Sequence, residues 1–347
     1  MSGVTMDPRG LAAQGTDRIP LLRVEDLVAR YPVRRSFLSA LRRAPRRFVQ
    51  AVDGVSFSLY PGEMLALVGE SGCGKTTIAQ TILRLVDPVS GTITFDGRDI
   101  TRLSQAELRP IRRLAQMIYQ DPYESLNPRF HVRQTIEEPM LIHGAGVRRS
   151  ERGPRIAEAL GRVDMTPADM YLDRYPHELS GGQRQRVAIA ASLVLEPKLL
   201  VADEPVSMLD VSVRAGVLRL LDRLRRESML GVLMITHDLS TAARFADRIA
   251  VMYLGRIVEE GSAREVVRNP QHPYTRALLS VVPQRDPRER GNPQILRGEP
   301  PNPTDVPPGC RFHPRCPVAQ DRCRRVDPEL RPTADEGHRA ACVLVGE

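Results

Sequence analysis

Eight consecutive residues constrain this chain more than anything else in it: Gly69-Glu70-Ser71-Gly72-Cys73-Gly74-Lys75-Thr76. They fit the spacing G-x-x-x-x-G-K-Ser/Thr without a gap. An apolar run, Met64 to Val68, comes directly before them, and Thr77 to Leu85 follows with Ile78, Ile82 and Leu85 at helical spacing. Glycine is needed because the backbone between strand and helix must curl with its N–H groups facing inward, forming an anion nest that the positive helix end reinforces. Lys75 can then neutralise β and γ phosphates, and Thr76 can place its hydroxyl on Mg²⁺. The residues Gly69 to Thr77 would line a nucleotide, Cys73 with its backbone alone. A chance glycine-rich turn is the plain alternative, and the strand-loop-helix context argues against it.

The rest of the chain extends that unit. Leu114 to Tyr119, Leu199 to Ala202, Val232 to Ile235 and Ile249 to Met252 are further short apolar runs that read as strands. Helical stripes lie between them, at Val187, Ala190, Ala191 and Val194 and again at Val217, Leu220, Leu221 and Leu224. The alternation predicts an α/β fold with a largely parallel sheet. Strand signals vanish between Pro122 and about Leu179, where Glu137 to Ile142, Arg155 to Val163 and Ala168 to Leu172 look helical, so a helical insertion is expected there. Eight prolines from Pro283 to Pro308 mark a semi-rigid linker. The expected organisation is a loose tail at 1–20, one domain at 21–282 with the insertion at about 122–185, and a linker plus cysteine-bearing extension at 283–347.

With 347 residues, about two units of ordinary size are allowed. Hydrophobic residues make up 41%, yet no apolar run approaches a membrane span and no secretory signal is visible, which predicts a cytoplasmic chain with unpaired cysteines. The net charge of +8 suits nucleic acid, lipid headgroups or nucleotide as acidic partners. Only Lys75 and Lys198 are lysines, so arginine-favouring codon usage explains the charge as well as a polyanion surface does. Arginines 34, 35, 42, 43, 46 and 47 fall in one irregular stretch that reads as a solvated loop or a contact for anionic headgroups. A second acidic element agrees with nucleotide chemistry. Leu199 to Ala202 ends in Asp203 and Glu204, placed where Asp203 could hold Mg²⁺ through water and Glu204 could polarise an attacking water.

Leu179-Ser180-Gly181-Gly182-Gln183 is a second anion-binding pattern, with Ser180 able to cap a helix and two glycines exposing N–H groups. This peptide resembles the signature of the ATP-binding cassette (ABC) ATPases. The order Lys75, Gln120, Ser180, Asp203, Glu204, Asp210, His237 resembles that family as a whole. The resemblance implies a P-loop ABC ATPase core with a helical subdomain insertion and a small cysteine-containing C-terminal extension. It implies that Gln120 touches Mg²⁺ or its water, that Glu204 is the general base and that His237 contacts the γ phosphate. Asp210 would belong to the D-loop of the sequence Ser207 to Asp210, and Tyr31 would stack on adenine or else pack locally. It also implies that ATP lies between the phosphate loop of one cassette and Ser180 to Gln183 of another, so a second ABC ATPase subunit is required. Val206 and Met208 depart from the family's usual Thr and Ala without removing a catalytic group.

Asn269 to Leu279, Gly298 to Pro301 and Gly309 to Pro317 resemble the C-terminal extension of oligopeptide and dipeptide importer ATPases, and Tyr119 to Pro122, Ser125 to Arg129 and Tyr175 to Glu178 resemble the same subfamily. The resemblance covers roughly residues 20 to 343. It implies ATP hydrolysis with Mg²⁺ coupled to peptide import through two integral membrane permease subunits, at the cytoplasmic face of the membrane. An extracytoplasmic substrate-binding protein would be an indirect partner, and nucleic acid is not expected. Nickel and glutathione importers share much of the pattern. An ABC ATPase acting on nucleic acid and a P-loop kinase are readings from other classes, and the kinase leaves the signature unexplained. Cys310, Cys316, Cys323 and Cys342 are spaced C-x5-C-x6-C-x18-C, without the C-x2-C pairs of zinc ribbons. Similar tails imply a 4Fe-4S cluster, with zinc and four free thiols as alternatives. His313 and His338 read as reserve ligands or surface residues.

Overall fold

Parallel strands covered on both faces need continuous apolar runs, and β3 (Met64–Val68) is buried at every position. The structure is a computed structural model that describes residues 18–33, 47–121, 125–144, 148–281, 296 and 298–345. The expected N-terminal tail through residue 17, the arginines at 34–46, and the linker at 282–295 lie outside the described residues. Four strands build an antiparallel sheet: β1 (Leu22–Pro32), β2 (Phe48–Leu59), β4 (Ser90–Phe95) and β5 (Arg98–Asp99), in the order β2-β1-β4-β5. The other eight form the main sheet, in which β3 is joined by β6 (Ala115–Ile118), β7 (Leu199–Asp203), β8 (Gly231–Thr236), β9 (Arg248–Tyr253), β10 (Arg256–Ser262), β11 (Arg331–Pro332) and β12 (Arg339–Ala340). Its order is β11-β12-β10-β9-β3-β8-β7-β6, with the stretch from β9 to β6 parallel and the remaining pairs antiparallel.

Period-two alternation sends the two faces of the main sheet into two cores. Met64, Ala66, Val68, Val232, Met234, Ile249 and Val251 face one core, shared with α5 (Gly181–Leu193), α6 (Val211–Ser228) and α7 (Leu239–Phe245). Leu65, Leu67, Val201, Leu233, Ile235 and Ala250 face the other, where α1 (Lys75–Ile82), α2 (Gln105–Leu114) and the antiparallel sheet close over them. Between residues 125 and 179 the described elements are α3 (Val132–His143), α4 (Arg149–Arg162) and two single turns. Two short helices, α8 (Ala263–Arg268) and α9 (Pro273–Ser280), follow β10. No helix among the described residues is long and apolar enough to cross a membrane.

The five strands read from the apolar runs, β3, β6, β7, β8 and β9, all pair in parallel, and the alternation did not signal a separate antiparallel layer of β1, β2, β4 and β5. Register shifts between Val24 and Leu27 and between Ala29 and Arg30 break the alternation of β1, and Asp26 sits at φ 46°, so a period-two signal is lost there. The cysteine-bearing extension is built into the domain. It supplies β11 and β12 to the main sheet, and its Phe312 inserts into the first core, with ring centroids 5.2 Å from Tyr253 and 5.4 Å from Tyr274. Arg311 donates to Leu254 O at 2.6 Å and pairs with Asp53. Burial works against ionised Asp53, yet Arg311, Arg256 and Arg30 outweigh it and hold the carboxyl below its ordinary range. His338 is not a surface residue: its Nε2 lies 2.8 Å from Glu259 Oε1, and both side chains are fully buried.

Candidate nucleotide site

The phosphate loop leaves β3 and enters α1 with no residue to spare. Gly72 and Gly74 take φ of 79° and 109°, a region that L side chains rarely adopt, and Gly74 caps α1. A Cβ on Gly74 would lie 1.9 Å from Ala51 O, and one on Gly69 2.2 Å from Met252 O, so both positions are closed to any side chain. The end of β9 thus presses against the loop from outside, and Gly255 N donates to Cys73 O at 2.9 Å. Lys75 is buried and its Nζ donates to Gly69 O at 2.7 Å and Glu70 O at 2.9 Å, which holds its charge at the mouth of the loop. Cys73 is buried beneath it. Burial pushes that thiol up, with Lys75 opposing, so a neutral side chain packs there while the backbone shapes the loop. Ser71 and Thr76 are exposed, and Thr77 is half-buried.

Three adjacent parallel strands deliver the acid and base groups. Gln120 lies just past β6, Glu204 just past β7 and His237 just past β8, at the carboxyl ends where open α/β sheets bind ligands. The three side chains meet. Gln120 Nε2 donates to Glu204 Oε2 at 3.3 Å, and His237 Nδ1 stands 3.1 Å from Glu204 Oε1. Glu204 is only 16% exposed while His237 is 60% exposed, so the carboxylate is the inner member. Its backbone, at φ 45°, sits in the left-handed region, a strain of about 1–2 kcal/mol for a residue with a Cβ. Hydrogen bonds from Glu204 N to Ile235 O, and from Ser207 N and Oγ to Glu204 O, hold the kink. Asp203, one residue earlier, is buried. Burial raises its pKa, the Thr76 hydroxyl bonded to it opposes, Glu204 adds to the rise and Lys75 opposes again. Thr76 and Asp203, expected at Mg²⁺ together with Gln120, are thus neighbours.

The signature forms the start of α5. Ser180 Oγ accepts from Gln183 N at 3.3 Å and Gln183 Oε1 accepts from Ser180 N at 2.9 Å, a reciprocal cap. Buried Arg184 donates to Pro176 O at 2.6 Å and Leu179 O at 2.7 Å, pinning the turn before it. Gly182 approaches α6 so closely that a Cβ would lie 2.5 Å from Val213 Cγ1, while Gly181 faces Leu209. Among the described residues no hydrogen bond or ion pair joins Ser180 to Gln183 with the phosphate loop. Asp210 is exposed at the start of α6, between exposed Met208 and Val211. Tyr31 is half-buried in β1, opposite Val49.

Cys310, Cys316, Cys323 and Cys342 are free, and they come close enough to perturb one another. Burial pushes the Cys310 thiol up to about 11, and the other three thiols add to it. The expected metal site is nevertheless not formed: among the described residues, no group of three or more His, Cys, Asp or Glu is arranged to hold a metal ion. The sulfur of Cys323 accepts from Gln320 N at 3.4 Å. The reserve histidines are committed elsewhere, His338 to Glu259 and His313 Nδ1 to Cys310 O at 2.9 Å. Two residues at the phosphate loop had no sequence signal pointing to them. Arg315 pairs with Glu70, and the Tyr274 hydroxyl accepts from Glu70 N at 3.0 Å.

The oligopeptide transport ATP-binding protein AppF of Bacillus subtilis is 46% identical over 329 residues, covering 93% of this chain and 97% of that protein. This chain belongs to the ABC transporter ATPase family. Residues 52–207 of this ABC-type ATPase match the family described as ABC transporter, and residues 258–323 match that described as oligopeptide/dipeptide transporter, C-terminal region. The dipeptide transport ATP-binding protein DppF of Escherichia coli is 42% identical, over 96% of this chain and 97% of that one. Among solved structures, the dimeric ATP-binding cassette MJ0796 in a post-hydrolysis state with ADP and Pi is 27% identical with a TM-score of 0.61. It covers 70% of this ABC ATPase and 99% of its own chain. The cbiO1 protein of Clostridium perfringens is 29% identical, also with a TM-score of 0.61, over 72% and 91% of the two chains.

Proposed function

We propose that this ABC ATPase is the ATP-hydrolysing subunit of a peptide importer, docked on two integral membrane permease subunits at the cytoplasmic face of the membrane. The observation that carries this reading is likeness along the whole chain, extension included, to proteins named for oligopeptide and dipeptide transport. An extracytoplasmic binding protein would act through the permeases and select the cargo. In this reading residues 21–282 are the ATPase domain, with 122–185 as its helical subdomain, and 283–347 are the linker and extension.

Gly69 to Thr77 would cradle the phosphates, with Lys75 supplying charge and Tyr31 stacking on adenine. Mg²⁺, held by Thr76, Asp203 and Gln120, would neutralise charge on the phosphate oxygens. Glu204 would orient and deprotonate the attacking water, fixed between Gln120 and His237. Ser180 to Gln183 would serve the nucleotide of a second cassette, with Asp210 at that interface, a reading supported by likeness to the dimeric cassette MJ0796. ATP would then favour the closed pair, and hydrolysis would release it. The four cysteines are candidate ligands for a 4Fe-4S cluster or zinc by their spacing and by the resemblance of the tail alone, since they do not form a metal-holding group among the described residues. Visible absorbance from anaerobically purified protein, lost in Cys310→Ser, tests that.

The main test is co-purification of the full chain with its permease subunits, followed by peptide-stimulated ATP hydrolysis in proteoliposomes. A chain that follows ribosomes or polynucleotides instead, or whose ATPase ignores peptide and binding protein, overturns the importer reading.

A further inference from the structure

The C-terminal extension reaches the phosphate loop itself. Arg315, 7% exposed at its side chain, makes a two-pronged ion pair with Glu70, Nη1 to Oε2 at 2.7 Å and Nη2 to Oε1 at 3.1 Å. Glu70 is the second residue of the loop. Its amide N–H donates outward to the hydroxyl of buried Tyr274 in α9, and its carbonyl accepts from Lys75 Nζ. All three polar parts of this one residue are thus engaged, two of them by segments beyond residue 270. The anchors are rigid. Tyr274 packs on Tyr253 with ring centroids 4.7 Å apart and on Phe312, and Arg315 ends a tight turn closed by Arg315 N to Phe312 O at 3.0 Å. Burial opposes the charge on Arg315, but Glu70 and the neighbouring Tyr253 hold the guanidinium firmly protonated. A planar fork against a carboxylate fixes direction as well as distance, which a lysine could not do.

We propose that Arg315 and Tyr274 are positioning residues for the phosphate loop: through Glu70 they set the conformation in which it binds ATP, so the C-terminal extension governs the nucleotide affinity of its own chain. This rests on the reading of Gly69 to Thr77 as the ATP site. Neither residue reaches a phosphate. Their effect passes through Glu70, so it belongs in the affinity for ATP and not in the chemistry at Glu204, which stands on a different strand end.

The test uses the full chain with ATP and Mg²⁺, reading affinity by calorimetry, kcat and KM by phosphate release, and folding by thermal unfolding. Arg315→Ala is expected to weaken ATP binding about tenfold or more, because one charged partner is removed from a bidentate pair. Tyr274→Phe keeps the ring packing but orphans the Glu70 N–H, and about a tenfold loss is expected there too. In both, KM rises while kcat at saturating ATP stays within about twofold. Arg315→Lys should recover little. In a Glu70→Ala background, Arg315→Ala should have almost no further effect on affinity. Folded Arg315→Ala and Tyr274→Phe proteins that bind ATP within twofold of the parent overturn the proposal, as do effects that simply add to those of Glu70→Ala. A parent chain that fails to bind ATP at all refutes the ATP-site reading instead.

Discussion

Gly74→Ala offers the sharpest check on the phosphate-loop geometry. The backbone there has φ 109°, where a side chain costs about 1–2 kcal/mol. The new methyl would also lie 1.9 Å from Ala51 O and 2.8 Å from Met252 Cε. Overlap of that kind in a packed region adds about 1–3 kcal/mol, for a total of about 2–5 kcal/mol. The strain can appear as lost stability, or the loop can shift and displace Lys75, which begins the helix that Gly74 caps. In the second case each 1.4 kcal/mol or so weakens ATP binding tenfold. Urea unfolding and ATP titration on the same protein, with their two free-energy losses summed, should recover the predicted range. Gly72→Ala is the internal control. Its φ is 79° but its Cβ would meet nothing within 4 Å, so it carries only the backbone cost. A Gly74→Ala protein no worse than Gly72→Ala in both measurements would refute the argument from close approach.

Three further outcomes are expected. Glu204→Gln should keep ATP binding and lose about 10²-fold or more in turnover, the usual worth of a positioned base; hydrolysis at the parent rate would remove Glu204 from that role. His272 is wholly buried, and burial aided by Arg276 pushes its pKa from 6.5 down to about 3, leaving Nδ1 free to accept Tyr274 N–H at 3.1 Å. The unfolded imidazole takes up a proton that the folded one refuses, so stability is full above about pH 6.5 and falls toward pH 3, by up to about 1.4 kcal/mol per unit. His272→Asn retains a capping acceptor and should lessen that slope, and an unchanged urea-midpoint profile between pH 6 and 4 counts against the assignment. His338→Ala leaves the fully buried Glu259 carboxyl group with the Gln271 and His272 N–H groups as its partners among the described residues. A loss of about 3–5 kcal/mol is expected, and a thermal midpoint close to the parent's would show that the pair is not needed.

How much could be read from sequence follows the distance over which each feature is encoded. The phosphate loop occupies eight adjacent positions, and its strand and helix adjoin it, so residue types alone specify it. The strands β3 and β7 were legible because burial on both faces leaves an unbroken apolar run. Gln120, Glu204 and His237 lie far apart in the chain, and nothing local says that β6, β7 and β8 are neighbours; only the family resemblance brought them together. The antiparallel layer was hidden by the bulges of β1. Arg315 and Glu70 are 245 positions apart, and Glu259 and His338 are 79 apart, so neither pairing leaves a periodic trace. The cysteine spacing suggested a metal site, but spacing does not say whether buried thiols will be held as thiolates.

The pairing of β10 with β12 sets an order of events during synthesis. Glu259 meets Ala340 in that ladder, so the edge of β10 is covered by residues made after every residue of the nucleotide site. Until they emerge, β10 presents unpaired N–H and C=O groups and Glu259 lacks its imidazole, while the nucleotide loop upstream is already complete in sequence. An exposed edge of that kind invites pairing with other chains. Chains truncated before Arg339 are therefore expected to aggregate through that open β10 edge.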